Sequence, residues 1–133
     1  MKRTTKEWVR KAEADYLIAR RSGRSKTPLY DGVCFHCQQC AEKYLKALLE
    51  ELGLSIPRTH NLDDLLHLLL PHYARLRSLR RGLIFLTDFA VDPRYPTVNT
   101  SKRQAQAALR WAERVRSDCR TLLGVKPRRR RKK

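Results

Sequence analysis

Glycine is scarce in this chain, with five residues among 133, at positions 23, 32, 53, 82 and 124. These positions are too far apart to form the glycine-rich loop that cradles phosphate in P-loop and dinucleotide-binding proteins. We therefore exclude both of those folds. The sequence also lacks the His-Glu-x-x-His motif of zinc proteases and a serine in a nucleophile-elbow motif.

Long apolar runs are absent too. Hydrophobic residues make up 41% and charged residues 32% of the chain, which is a globular balance. No run approaches the roughly 20 apolar residues that cross a bilayer, and residues 1–7 lack the pattern of a secretory signal. We therefore expect one soluble, cytoplasmic domain without membrane contact, in which the four cysteines are reduced thiols.

Acidic residues are few, with 13 against 30 Lys and Arg, for a net charge of +17. The last eight residues hold seven basic side chains and no acid. Such a run repels itself, so we expect a folded domain over 1–124 and a disordered basic tail over 125–133. The tail either binds nucleic acid nonspecifically through Arg128, Arg129, Arg130 and Arg131 or merely keeps the protein soluble.

Apolar residues recur at helical spacing in the first half of the chain. The pattern predicts a helix from Thr4 to Arg21, opened by a Thr4–Glu7 capping box, with Asp15 facing the interior or a cleft. A second helix enters at Thr27-Pro28 and ends at Gly53. On this helix we expect four polar residues to lie mainly on the side opposite the apolar face: Gln38, Glu42, Lys46 and Glu50.

The second half is also helical. A short third helix follows an Asn61 cap and ends at Pro71, and a fourth runs from Tyr73 to Phe89, weakened by Gly82. Residues 91–99 contain two prolines and form a loop, and a Ser101–Gln104 capping box opens a last helix that reaches Gly124. No segment alternates like a strand. The predicted fold is all-α, an antiparallel up-and-down bundle of four principal helices plus one short helix.

Three cysteines lie close together at Cys34, Cys37 and Cys40, next to His36. Thiolate and imidazole are ligands for zinc and iron–sulfur clusters, and Cys119 would complete a four-cysteine set if the last helix packs against the second. On one helix, however, positions three apart do not converge on a point. We expect the cysteines to pack as small hydrophobes, with no metal and no cofactor.

Two histidines are candidates for proton transfer. His36 lies in a polar cluster on the second helix, and His60 precedes the Asn61 cap. The alternative is that His36 is a hydrogen-bonded residue of the helix face and that His60 orders the loop before the third helix.

Four groups of residues carry a resemblance to a known family. They are Trp8, Ala12 and Asp15; the polar and apolar positions of Phe35–Leu48; Arg58–Leu62; and Arg94–Pro96. In order and spacing they resemble the HEPN domain (higher eukaryote and prokaryote nucleotide-binding domain), over residues 5–123. The resemblance implies a helical bundle that is usually dimeric and takes part in nucleotide or RNA transactions. It also implies a small nucleotidyltransferase as partner, in toxin–antitoxin or defence pairs.

One motif of the family is missing. Ribonucleolytic members carry an Arg, four to six residues and then a His, whereas here the nearest ordered pair, Arg58 and His60, is separated by one residue. No ribonuclease site is therefore carried over from the resemblance.

A phosphate site can still be predicted if the second helix faces the loop at 92–97. Arg94 offers a planar cationic fork and Tyr95 a stacking face, with Lys43, Lys46 and Asp15 nearby. The alternative is that Arg94 pairs with Asp15 or Glu42 to hold the loop on the bundle and that Tyr95 packs between helices.

Three functions follow. The first is a non-catalytic HEPN-type module, a homodimer or higher homo-oligomer, that binds a nucleotide, RNA or a small nucleotidyltransferase. The second is a metal-independent ribonuclease toxin with a degenerate site, using His36 or His60 with Arg94. The third is a nonspecific polyanion binder acting through the basic tail.

Overall fold

The computed structural model describes residues 1–91, 96 and 99–125. Its α-helices are α1 (Arg3–Gly23), α2 (Tyr30–Glu51), α3 (Leu62–Leu69), α4 (Arg80–Thr87) and α5 (Lys102–Leu122), with a 3₁₀ segment (Ala74–Leu79) directly before α4. No strand occurs in these residues. The predicted all-α bundle is confirmed, with the 3₁₀ segment and α4 together forming its fourth principal element. Except for Val125, the predicted basic tail lies outside the described residues.

Helix α2 is the centre of the molecule, because each of the other four α-helices packs against it. Its apolar face is fully buried and includes Val33, Cys37, Tyr44, Leu45 and Leu48. Helices α1 and α5 cover the largest part of α2, and α3 and α4 close the remainder. The single core that results is the one that the apolar periodicity of the sequence predicts.

Two of the predicted caps are confirmed and one is wrong. Asn61 accepts hydrogen bonds from the backbone N–H groups of Asp63 and Asp64, and Ser101 and Gln104 form a reciprocal capping box. The Thr4–Glu7 box does not form. Helix α1 begins one residue earlier, and the Thr4 hydroxyl donates to Glu50 at the carboxyl end of α2. Tertiary packing of the two helix ends therefore takes the side chain that a local cap would use.

The entry to α2 also differs from the prediction. The helix begins at Tyr30, two residues after Pro28, and its first backbone bond runs from the Val33 N–H to the Leu29 carbonyl at 3.0 Å. Its end agrees with the prediction, since Gly53 follows with φ of 72°, a left-handed conformation that favours glycine.

The segment predicted as one helix from Tyr73 to Phe89 is divided into the 3₁₀ segment and α4. It runs antiparallel to α5. Arg75 pairs with Asp118 at 3.3 Å near one end, and Gly82 lies against the Trp111 ring seven residues later. The separation between the partners on α5 is also seven residues, which fixes this alignment.

One polar network ties three helices together. The Glu13 carboxylate on α1 accepts hydrogen bonds from the Tyr44 hydroxyl on α2 and from Arg116 and Arg120 on α5, the Arg116 Nε lying 2.7 Å away. Burial by itself would raise the pKa of Glu13, but these hydrogen bonds outweigh it and hold the pKa below its ordinary value. All three helices are thus fixed through one carboxylate.

Candidate functional site

Asp15 is a carboxylate buried at the boundary between α1 and α2, with a relative exposure of 6%. Its Oδ1 lies 2.8 Å from Nδ1 of His36, and its Oδ2 lies 2.5 Å from Nζ of Lys43. His36 and Lys43 are seven positions apart on α2, so they occupy one stripe of the helix, two turns apart. The prediction that Asp15 faces the interior or a cleft is confirmed.

Glu42 is the centre of a second cluster, which again joins a carboxylate to a histidine and a lysine. It lies on the neighbouring stripe of α2. Its Oε1 lies 2.8 Å from Nδ1 of His60 and accepts from Nε2 of Gln38 at 3.1 Å, and its Oε2 accepts from Nζ of Lys46 at 3.0 Å. Gln38 also donates to the His60 carbonyl at 3.2 Å. These bonds fix the loop before α3 onto the central helix.

The two clusters adjoin along α2, because Nε2 of Gln39 donates to Oε1 of Gln38 at 2.7 Å. We call the whole set the polar strip: Asp15, His36, Gln38, Gln39, Glu42, Lys43, Lys46 and His60. It holds two carboxylates and two ammonium groups, so its net charge is zero with neutral imidazoles and +2 with both imidazoles protonated.

The carboxylates are inaccessible and charged, whereas the imidazoles reach solvent. The Asp15 and Glu42 side chains are 9% and 6% exposed, against 27% for His36 and 68% for His60. Burial acts to raise the pKa of both carboxyl groups. Hydrogen bonds from the paired histidine and lysine outweigh burial, so both pKa values lie below their ordinary range.

Ionised carboxylates also fix the histidine tautomers. A carboxylate can only accept a hydrogen bond, so Nδ1 of each imidazole must carry the proton that is donated. In the neutral ring, Nε2 is then the unprotonated nitrogen. Both His36 and His60 therefore offer a basic Nε2, with the ring held in place by a group that solvent does not reach.

One edge of the polar strip is aromatic. Nζ of Lys46 lies 5.9 Å from the centre of the half-buried Trp8 ring, a cation–π contact. Beside Trp8 on α1 is a shallow cavity of about 170 Å³, lined by Thr4, Glu7, Trp8 and Lys11. The cavity adds an apolar surface next to the charged groups.

Of the residues predicted to bind phosphate, the structure brings Asp15 and Lys43 into direct contact and places Lys46 on the next stripe of α2. Each lysine, however, is neutralised by a carboxylate. Arg94 and Tyr95 lie outside the described residues, as do Arg128, Arg129, Arg130 and Arg131. Further along the same loop, Thr100 donates from both its N–H and its hydroxyl to Asp31 in the first turn of α2.

The prediction that Gln38, Glu42 and Lys46 lie on a side of α2 away from the core was wrong. They are 0%, 5% and 7% exposed. Their burial is tolerated because each polar atom is satisfied, and no buried side-chain nitrogen or oxygen in the described part of the chain lacks a partner. The i, i+4 spacing of the three residues was the sequence signal that they bond to one another.

The four cysteines are buried, three on α2 and Cys119 on α5. Burial raises the pKa of Cys34 to about 11 and raises the pKa of Cys37, Cys40 and Cys119 as well. Thiols in such surroundings behave as small hydrophobes. Within residues 1–91 and 99–125, no group of three or more His, Cys, Asp or Glu side chains is arranged to hold a metal ion.

None of the helices in the described part of the chain combines the length and the apolar character needed to cross a membrane.

Comparisons with known proteins agree with the architecture. Residues 5–122 match the family model of the HEPN domain. Comparison with curated proteins finds no match. TT1696 from Thermus thermophilus is similar with a TM-score of 0.77 and 23% identity, covering 88% of this chain and 96% of that one.

Two further solved structures are similar. ST0689, described as an archaeal HEPN homologue, has a TM-score of 0.71 and 27% identity, over 92% of this chain and 99% of its own. A HEPN domain protein from Thermotoga maritima, TM0613, has a TM-score of 0.71 and 22% identity, over 89% of this chain and 98% of its own. The match of the family model over nearly the whole helical bundle shows that the chain belongs to the HEPN domain family.

Proposed function

We propose that this chain is a non-catalytic HEPN module that binds the phosphate of a nucleotide or of RNA at the polar strip. The observation that carries the proposal is the pair of solvent-accessible imidazoles, His36 and His60, each held through Nδ1 by a buried carboxylate. A protonated imidazole donates from both nitrogens, so Nε2 is a donor aimed at an anion while Nδ1 stays anchored.

The charge of the strip supports a phosphate over a neutral ligand. Lys43 and Lys46 already balance Asp15 and Glu42, so the two imidazoles are the groups of the strip that remain to face an anion. We also propose Arg94 and Tyr95 as contributors. They precede Thr100 on the same loop, and Thr100 is bonded to Asp31 in the first turn of α2.

Calorimetric titration with ATP, AMP and a 5′-phosphorylated RNA dinucleotide tests this proposal. We expect binding that weakens about tenfold in His36→Ala or His60→Ala, as for loss of one charge-assisted hydrogen bond. The matched control is His67→Ala, an exposed histidine on α3 whose Nδ1 bonds to the Asp63 carbonyl. Equal weakening in all three variants, or no binding by the wild type, would contradict the proposal.

A second candidate function, a metal-independent ribonuclease, is favoured by one specific feature. A carboxylate-oriented imidazole with a basic Nε2 is the arrangement of a general base, and the chain has two. Labelled RNA incubated with the protein in EDTA tests it. Cleavage that disappears in His36→Ala or His60→Ala but persists in His67→Ala would support the enzyme, and inert wild-type protein would remove it.

We also propose that the module works with a protein partner, a second copy of itself or a small nucleotidyltransferase. Supporting this, α1 exposes two adjacent apolar side chains, Leu17 at 45% and Ile18 at 47%. Light scattering after size exclusion, with and without an added small nucleotidyltransferase, measures both associations. Leu17→Glu should weaken whichever complex forms, and a monomer that ignores the nucleotidyltransferase would contradict the proposal.

A further inference from the structure

The seam between α4 and α5 carries an unusual concentration of arginine. Residues 74–88 and 102–122 together hold ten Lys and Arg against three Asp and Glu. Because the 3₁₀ segment and α4 run antiparallel to α5, the arginines of the two elements lie along neighbouring parallel lines. The seam is therefore a surface with one dominant sign of charge.

Five exposed residues form this surface, which we call the arginine face: Arg77, Arg81, Arg103, Arg110 and Arg114. The last three stand at i, i+7 and i+11 on α5, so they share one outward ridge of the helix. The ridge is about 16 Å long at 1.5 Å per residue, which corresponds to about five phosphates of one strand of a duplex.

These five arginines differ from others on the same elements. Arg75 pairs with Asp118, Arg80 with Asp63, and Arg116 with Glu13. In contrast, no member of the arginine face forms an ion pair with any described residue. The elements thus use some of their arginines to join helices and present the remainder to solvent.

Arg114 is held in place by an aromatic ring. Its guanidinium lies 4.8 Å from the centre of the Trp111 ring, and that ring packs directly on Gly82 of α4. Stacking leaves the edge N–H groups of a guanidinium available to bond an anion and reduces the freedom that binding would remove. The seam therefore presents one cationic fork held against an aromatic ring, beside arginines that make no ion pair with a described residue.

The arginine face is separate from the polar strip. The ridge of α5 points away from α2, because α5 packs on the bundle through its opposite, buried face. The polar strip is carried by α1, α2 and the loop before α3. The two surfaces therefore share no residue and can be varied separately.

We propose that the arginine face binds the phosphodiester backbone of a nucleic acid, independently of the polar strip. Guanidinium groups match phosphate oxygens, and a row of cations along a ridge matches a polyanion rather than a compact ligand. A bilayer surface fits less well, because the other residues of the ridge, Ala107, Ser117 and Thr121, carry no large apolar group. Helix α4 exposes a single large apolar side chain beside them, Ile84 at 48%, which is little for insertion. Binding of this kind does not read sequence.

Fluorescence anisotropy with labelled 20-mers of RNA and of DNA tests the proposal, using the full chain so that the basic tail is constant. The variant is Arg81→Gln/Arg110→Gln/Arg114→Gln. The matched control is Arg3→Gln/Lys6→Gln/Arg21→Gln, three exposed cations on the outward side of α1 with the same change in net charge. A second variant, Arg103→Gln/Arg110→Gln, keeps the Arg114–Trp111 contact. Weaker binding by this variant would not be explained by loss of that contact or by a folding defect that follows from it.

We expect the face variant to bind RNA, DNA or both about tenfold more weakly near 0.1 M salt, with a log–log salt slope smaller by about two to three. The α1 control should change little, and the double variant should follow the face variant. A difference between the RNA and DNA probes identifies which polymer the face prefers. Nucleotide binding at the strip should be unaffected, so failure here and failure of the proposed function are distinguishable.

Two results would overturn the proposal. Equal weakening by the face variant and the α1 control would show that only net charge matters. Loss of binding to phosphatidylserine vesicles with unchanged binding to both nucleic acids would assign the face to a membrane surface instead.

Discussion

Gly82 of α4 lies so close to Trp111 of α5 that a Cβ atom on the glycine would fall 2.1 Å from the indole ring. A glycine that by helix propensity alone would only weaken α4 is therefore the residue that lets α4 approach α5. The indole in turn carries the Arg114 guanidinium. The absence of a side chain at Gly82 thus allows α4 and α5 to pack closely and also determines where the Arg114 guanidinium lies.

Gly82→Ala should lower the free energy of unfolding by about 1–3 kcal/mol, because overpacking forces either the ring or the helix to move. Gly32→Ala is the control, since its Cβ would meet nothing nearer than 4.0 Å and alanine favours a helix by roughly 0.5–1 kcal/mol. Urea unfolding measures both. Combining Gly82→Ala with Trp111→Leu should cost less than the sum of the two changes, and strict additivity would show that the close contact is not the cause.

The two buried carboxylates should make stability depend on acid. Their folded-state pKa values are lowered, so they stabilise the protein above the unfolded values near 4, and that contribution is lost as pH falls through the folded values. Asp15→Asn should cost roughly 1–3 kcal/mol at pH 7 and flatten the decline of unfolding free energy between about pH 5 and 2. The control is Glu113→Gln, which removes an exposed carboxylate from α5, and a similar flattening in that variant would argue against the assignment.

The histidine tautomers can be observed directly. At pH 8, nitrogen–proton correlation spectra should show His36 and His60 protonated at Nδ1, because ionised Asp15 and Glu42 accept from that atom. Asp15→Ala should release His36 alone, and Glu42→Ala should release His60 alone. Protonation of either ring at Nε2 in the wild type would mean that the carboxylate does not orient it.

The cysteines should be inert while the protein is folded. Burial raises the pKa of all four, so almost no thiolate exists at pH 8 and reagent cannot reach the sulfur atoms. Mass spectrometry after iodoacetamide should find no alkylation in the native protein and four labels after denaturation. Ser55→Cys, at an exposed loop position, supplies a reactive control. Rapid labelling of Cys34 would contradict its burial.

The sequence was most informative where local chemistry decides. The Asn61 cap, the Ser101–Gln104 box and the end of α2 at Gly53 all depend on residues within one turn of each other. The all-helical bundle also follows from apolar periodicity, which reports directly on what a helix can bury. Asp15 could be identified because a carboxylate interrupts an otherwise apolar stripe.

Prediction from sequence failed where a residue distant in the chain takes the hydrogen bond that a local partner was expected to make. Thr4 bonds to Glu50 across 46 residues instead of capping α1, and Glu42 is buried because His60, 18 residues away, pairs with it. Lys43 pairs with Asp15, 28 residues away on α1, and no local pattern shows that this carboxylate lies opposite that lysine. The Lys46–Glu42 pair, in contrast, follows from the i, i+4 spacing of the two residues.

The amino-acid order by itself determined that this chain folds as a bundle of helices, because helix formation and the period of apolar residues are properties of neighbours along the chain. Only the tertiary structure decided that two carboxylates would each hold a histidine and a lysine, and that a glycine would lie against a tryptophan. Except for the i, i+4 pair of Glu42 and Lys46, those relationships join residues far apart in sequence. Their energies exist only once desolvation and close packing have brought the groups together.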